Sequence, residues 1–255
     1  MGVVTMAYAH YPRFYATLWS GVRELCASQP FVEAFLDNRA FVEGEVARLD
    51  PAPIDGRLAE IGYAPRERET VREMIEVFSH GNQPYLVLAT IARYLLEAGD
   101  MGGTTDLQAA PHFAGRHAPT FAVPFVLMEA HHADAPTREL YVDLKRVLNL
   151  PFVNTDYRAL ARWPSYWALA WNDLRRVAGT PAHEKICQAV HDRCARLTAE
   201  TLPNPGGITA AALRSAAEKD ASLEEVRSVC RLFQWLLPGL VTNVAYLRAQ
   251  LLVPN

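Results

Sequence analysis

Long apolar runs, an export-like start and paired cysteines are all missing from this chain, and each absence narrows what it can be. The most apolar stretch, LVLATIARYLL, is interrupted by Arg93 and falls short of the roughly 20 residues a membrane-spanning helix requires. The start, MGVVTMAYAH, has no basic segment leading into an apolar one, so nothing directs the chain elsewhere than the cytoplasm. Cys26, Cys187, Cys194 and Cys230 include no CxxC pair, which fits free, mostly core thiols and counts against an all-α redox protein. Basic and acidic residues, 25 and 28 of them, are mixed without a run of either sign, which excludes a nucleic-acid track or a polybasic membrane patch. No Gly-rich phosphate loop, GxSxG elbow or zinc signature occurs. The adjacent His131 and His132 lack the helical spacing of a metal pair and read as solvated loop histidines. Small neutral or anionic partners remain possible.

Alanine- and leucine-rich segments of helical period fill most of the chain, separated by breaks such as LDPAPIDG, AGDMGG and TLPNPGG, while period-two patterns are scarce. The fold class expected is all-α. The chain also repeats itself. YPRFYATLWSGV (11–22) lies over WPSYWALAWNDL (163–174), sharing an aromatic, Pro, two aromatics, Ala and Trp in the same order. Pro30 meets Pro181, the proline loops near 51 and 203 coincide, and VREMIEVF (71–78) lies over VRSVCRLF (226–233). Colinear matches at nearly constant offset indicate an internal duplication, with two helical repeats packed as a pseudo-two-fold pair into one globular unit. The expected division is a first repeat over 1–100, a Gly-, His- and Pro-rich exposed linker over 101–135, and a second repeat over 136–255 that opens with an extra helix, PTRELYVDLKRVLNLPFV (136–153).

A structural position should keep its polarity in both copies, whereas a position recruited for chemistry need not. In NTDYRALARWPSYWALAWNDL (154–174) Asp156 heads an apolar stripe, and its twin in the first copy is Val4. Asn82, in HGN, stands where the second copy has Leu237. Two readings of each are open. Asp156 is a helix cap or a chemical acid; Asn82 belongs to a Gly81-Asn82-x-Pro84 turn between helices or to the same chemistry. Trp19 and Trp171 occur in both copies and read as structural.

At these residues the chain resembles the group I D,L-2-haloacid dehalogenases, all-α hydrolases built from two homologous repeats. The resemblance runs from about Ala9 to Leu251, and its most specific stretches are DYRALARWP (156–164) and VREMIEVFSHGNQPYLVL (71–88). It implies hydrolysis of a 2-haloalkanoic acid with inversion, by direct attack of water and without a covalent ester. It implies Asp156 as general base, Asn82 as holder of the attacking water, and Thr155 and Phe233 at the substrate, Phe233 in place of a pocket tyrosine. It implies no cofactor, a small carboxylate as partner, and a homodimer. The chemistry accounts for the acid: water needs a carboxylate to take its proton as the carbon–oxygen bond forms, and an amide can both donate to and accept from that water. An apolar helix face desolvates the carboxylate and makes it a stronger base. Thr155 and backbone N–H groups at a helix start are the expected donors to the substrate carboxylate or halide. The chain departs from the family at its start, where one of two pocket aromatics matches only Val3 and the other has no counterpart, and in GNQP, one residue longer than the family's Gly-Asn-Pro. A competing alignment sets PFVEAF (30–35) beside PFVNTD (151–156) and offers Phe31 instead, but breaks the later colinearity. A second reading is a non-catalytic relative that binds a small carboxylate.

Overall fold

A computed structural model describes residues 3–102, 110–120 and 123–252. Among these the chain is all α, without a named strand; its one β-bridge pairs Ser28 with His112. The helices are α1 (Val3–Tyr8), α2 (Pro12–Cys26), α3 (Gln29–Ala47), α4 (Asp55–Glu60), α5 (Pro65–Glu97), α6 (Ala135–Val147), α7 (Thr155–Leu160), α8 (Pro164–Val177), α9 (Pro181–Arg196), α10 (Ala210–Glu218) and α11 (Leu223–Ala249). A π-helical turn, Leu197–Thr201, continues α9. Prolines set several starts. Pro12, Pro65, Pro164 and Pro181 each open a helix, where a missing N–H costs nothing and the fixed φ is already helical. Asp134 caps α6 by accepting from the Thr137 N–H at 2.9 Å.

The chain forms two compact units, each drawn from three segments. The first contains Met1–Ala40, Asn82–His117 and Gln188–Pro238. In it α2 packs against α10, and Gly21 allows the approach, since a Cβ there would lie 2.5 Å from the Ile208 Cβ. Asp220 accepts from the N–H groups of Arg13 and Phe14, both at 2.8 Å, and so places a negative charge at the start of α2. Arg214 and Arg227 donate to the Leu96 carbonyl near the end of α5, the matching arrangement at a C-terminus. The second unit contains Phe41–Gly81, Ala118–Cys187 and Gly239–Asn255. Its core is aromatic: Tyr157, Tyr166, Trp167, Trp171 and Tyr246 are all fully or almost fully buried. Trp167 stacks on Tyr157 at 5.5 Å and on Trp171 at 6.1 Å between centroids.

Three expectations are corrected. Gly81-Asn82-x-Pro84 is not a turn, because α5 continues through it for 33 residues with Pro84 inside the helix. Buried apolar residues on both sides, from Val71 to Phe78 and from Leu86 to Leu96, hold the helix on its line despite the lost backbone bond. The helix expected over 136–153 ends at Val147, since Asn149 adopts a left-handed conformation (φ 51°) that terminates it before Pro151. Trp19 is half exposed, at 49%, and so lies outside the core that Trp171 (1%) occupies.

Up to Asp134, where α6 is capped, the described part of the 101–135 segment is non-helical and docked on its neighbours. In the first unit Gln29 N–H donates to the Pro111 carbonyl at 2.7 Å and Phe113 N–H to the Ala27 carbonyl at 2.9 Å. In the second, Met128 N–H donates to the Arg158 carbonyl at 3.0 Å, and the Tyr141 hydroxyl to the Met128 carbonyl at 2.7 Å. His131 and His132 are exposed, and among the described residues no group of three or more His, Cys, Asp and Glu side chains could hold a metal. All four cysteines are free; Cys194 and Cys230 are buried and Cys26 and Cys187 partly so. Among the described residues no helix is long and apolar enough to cross a membrane.

Candidate active site

Asp156 is the second residue of α7, with 4% of its surface exposed. The cap position belongs to Asn154, whose side chain makes no cap hydrogen bond, so the acid is not the cap residue. A carboxylate in the first turn is favoured by the helix dipole, but its neighbours along the chain Tyr157, Ala159, Leu160 and Ala161 are each at most 1% exposed. Such a surrounding desolvates an ionised group, and a protein retains one there at a cost.

Thr155 is partly buried, and its hydroxyl accepts from Arg158 Nη2 at 3.5 Å, a long contact that leaves the hydroxyl hydrogen to point elsewhere. Arg158 is held by Glu129, Nη1 to Oε1 at 2.6 Å, on the docked segment between α5 and α6. Asn154, 4% exposed, has a buried Oδ1 without a hydrogen-bond partner. An orphaned acceptor two residues from the acid is a place where a water or a ligand donor fits. Asp156, Thr155 and Asn154 all belong to the second unit.

Asn82 and Phe233 belong to the first. Asn82 is partly exposed on α5, and its neighbour Gln83 is 2% exposed. Gln83 Oε1 accepts from Asn38 Nδ2 at 2.7 Å, a buried amide pair that ties α5 to α3 beside Asn82. Pro84 cannot donate to the His80 carbonyl, which loosens the backbone ladder around Asn82. Phe233, 3% exposed, sits edge-on to Tyr8 at 6.0 Å, and Tyr8 in turn to Phe14 at 5.4 Å. The Tyr8 hydroxyl lies against Cys230, and burial pushes both groups up, the thiol to about 12. Phe233 is thus part of an aromatic cluster with Tyr8 and Phe14.

A polar network behind α7 has no counterpart in the motifs. Asn243 Nδ2 donates to the Tyr157 hydroxyl at 3.0 Å, and His183 Nε2 lies 2.8 Å from Asn243 Oδ1. Burial holds His183 below the usual histidine range and pushes the neighbouring Cys187 thiol up to about 11. Elsewhere in the same unit Asp173 accepts from the Tyr246 hydroxyl at 2.8 Å, Gln250 Nε2 at 3.0 Å and the Ala52 N–H at 3.1 Å. Arg176 closes the set at 2.5 Å.

The arrangement offers a buried carboxylate, a hydroxyl beside it and neutral amides, which suits proton abstraction from water. Comparison with known proteins agrees. No family model matches the chain. The (R)-2-haloacid dehalogenase of Rhizobium sp. (strain NHG3) is 46% identical over 213 residues, covering 82% of this chain and 79% of the relative. The (R)-2-haloacid dehalogenase of Pseudomonas putida is 33% identical over 255 residues, covering 99% and 84%. A configuration-inverting 2-haloacid dehalogenase of Alcaligenes xylosoxydans xylosoxydans is 27% identical over 181 residues, covering 68% and 59%. Among solved structures, a D-2-haloacid dehalogenase mutant in complex with D-2-CPA superposes with a TM-score of 0.85 at 30% identity, covering 99% of this chain and 86% of that one. A D-2-haloacid dehalogenase complex with L-LA gives 0.83 at 30% identity, covering 98% and 86%. With a near-half-identical relative aligned over most of both lengths and the same helical fold end to end, this chain belongs to the family of configuration-inverting 2-haloacid dehalogenases.

Proposed function

We propose that the enzyme hydrolyses (R)-2-haloalkanoic acids to (S)-2-hydroxy acids, with Asp156 as general base and Asn82 as holder of the attacking water. The observation that carries this reading is Asp156, buried in the first turn of α7 beside the buried Tyr157, Ala159 and Leu160, in a chain of this family. Water attacks C2 from the side opposite the halogen, the carbon–halogen bond breaks with its electron pair leaving as halide, and the water's proton passes to the Asp156 carboxylate. One bond forms as one breaks, so the carbon inverts. Asn82 can accept from the water and donate to it, holding it in line. Thr155 supplies a hydroxyl to the substrate, and Phe233 an apolar surface for it. The preference for the R substrate rests on the relatives, two of which are (R)-2-haloacid dehalogenases, and on the ligands of the solved structures, a 2-chloropropionate and a lactate.

The duplication is also proposed, and the helix order supports it. Val3 and Thr155, Pro12 and Pro164, and Gln29 and Pro181 begin α1 and α7, α2 and α8, and α3 and α9, each pair 152 residues apart. α5 and α11 then match as long helices with a proline inside, Pro84 and Pro238, and α6 alone stands outside the pairing, as the extra leading helix of the second copy. The repeats would then be 1–100 and 136–255 with 101–135 joining them, in a cytoplasmic, cofactor-independent homodimer.

Incubation with (R)- and (S)-2-chloropropionate tests the activity. Chloride release from the R acid, with (S)-lactate as product on a chiral column, is the expected result. Release with retained configuration, or from neither enantiomer by folded protein, would overturn it.

A further inference from the structure

We propose that Asn243 and His183 are positioning residues for Asp156, acting through the phenol of Tyr157; the inference rests on Asp156 being the base. α7 has six residues, too few to fix its own direction, since so short a helix is unstable alone. Whatever holds Tyr157 therefore holds Asp156. The Tyr157 ring is fixed by stacking on Trp167 at 5.5 Å, and its tip by Asn243 Nδ2 at 3.0 Å. Asn243, 2% exposed, comes from α11, and His183, 5% exposed, from α9. The three side chains join α7, α11 and α9 through a linear polar chain.

The direction of that chain is determined. Gly179 N–H points at His183 Nδ1, 3.4 Å away, so Nδ1 accepts and the ring hydrogen resides on Nε2. Nε2–H then donates to Asn243 Oδ1, 2.8 Å away, which turns the Asn243 amide hydrogens toward Tyr157. The Tyr157 oxygen accepts, and its own hydrogen remains to donate. Burial keeps His183 neutral, as this pattern requires.

Packing alone would not select an amide here. Replacing both partners of a buried hydrogen bond by apolar groups is often neutral for stability, so a two-link polar chain ending beside the acid is better explained by the orientation it enforces. The other half of the chain provides the contrast. In the register that sets Asn82 over Leu237, α5 carries the apolar Leu88 where α11 carries Asn243. The polar chain occurs in the half that has the acid.

The test compares kcat and KM for chloride release from (R)-2-chloropropionate in the wild type, Asp156→Asn, Asn243→Leu, Tyr157→Phe, the Asn243→Leu/Tyr157→Phe pair, His183→Leu and His183→Gln, with melting curves for each. A displaced base costs rate before binding, so Asn243→Leu and Tyr157→Phe should each lower kcat roughly tenfold or more, with KM within about twofold. The double variant should be no slower than either single one, because both remove the same link. His183→Gln, whose amide can donate in place of Nε2–H, should recover most of the rate that His183→Leu loses. Tyr157→Phe keeps the stacking and so separates the link from the fold. Wild-type kcat in a folded Asn243→Leu, additive losses in the pair, or a rise in KM in place of a fall in kcat would overturn the positioning role alone. Equal rates in wild type and Asp156→Asn would remove the base assignment, and this inference with it.

Discussion

Asp156→Asn is expected to lower halide release by about a thousandfold while leaving the fold intact. The magnitude follows from what is removed: a positioned general base contributes roughly 10²- to 10⁴-fold, and here the nucleophile is water, which at neutral pH has no other route to lose its proton in step with bond formation. Asn has the size and planarity of Asp, so the apolar flank of Tyr157, Ala159 and Leu160 is undisturbed. Melting within a few degrees of the wild type is expected, because exchanging a buried charge for a neutral amide removes a desolvation cost along with any favourable contact. Steady-state halide assays beside thermal melts check both halves. A variant retaining a tenth or more of the rate would assign the base elsewhere.

Asp173→Ala should be the counterpart, destabilising without touching the chemistry directly. Asp173 is 9% exposed and receives hydrogen bonds from Tyr246, Gln250, the Ala52 backbone and Arg176, so its loss strands several buried donors at once. Breaking a buried, hydrogen-bonded charge set costs about 3 kcal/mol, which lowers Tm by roughly 6–12 °C in a chain of this size. The pH dependence has a fixed sign. Burial by itself would raise this carboxyl, but the hydrogen bonds from Gln250, Tyr246, Ala52 and Arg176 outweigh it and hold the group below the usual aspartate range. Its stabilisation is therefore fully present above the unfolded value of about 4 and is lost as pH falls through the lower folded value. The gap in Tm between wild type and Asp173→Ala should be full at pH 7 and shrink below about pH 4. A gap that widens toward low pH would contradict the assignment.

How far the sequence reached differs between fold and site for a physical reason. Helical periodicity is local, so α2 and α8 were legible from one repeated pattern, YPRFYATLW and WPSYWALAW, and their prolines marked the starts. Locality also produced the errors. Gly81 and Pro84 look like a break from within five residues, whereas the packing that keeps α5 whole comes from buried apolar residues that extend to Val71 on one side and Leu96 on the other. Asp156 could be singled out because an acid in an apolar stripe is itself a local anomaly. Asn243, 86 residues from Tyr157, and His183, 60 residues from Asn243, could not be found that way. Each has an ordinary place on its own helix, and only the fold brings their polar atoms together. Asn38 is the same case on α3, joined to Gln83 across 45 positions.

The central claim is that Asp156 deprotonates water and is never itself esterified. A single turnover in H₂¹⁸O, with enzyme in excess over (R)-2-chloropropionate, tests it most directly. Direct attack puts solvent oxygen on C2 at once, so the lactate from the first turnover should carry ¹⁸O and the Asp156 carboxylate should stay unlabelled. Unlabelled lactate in that turnover, with ¹⁸O recovered in a peptide containing Asp156, would mean the carboxylate attacked the substrate, and would contradict the account.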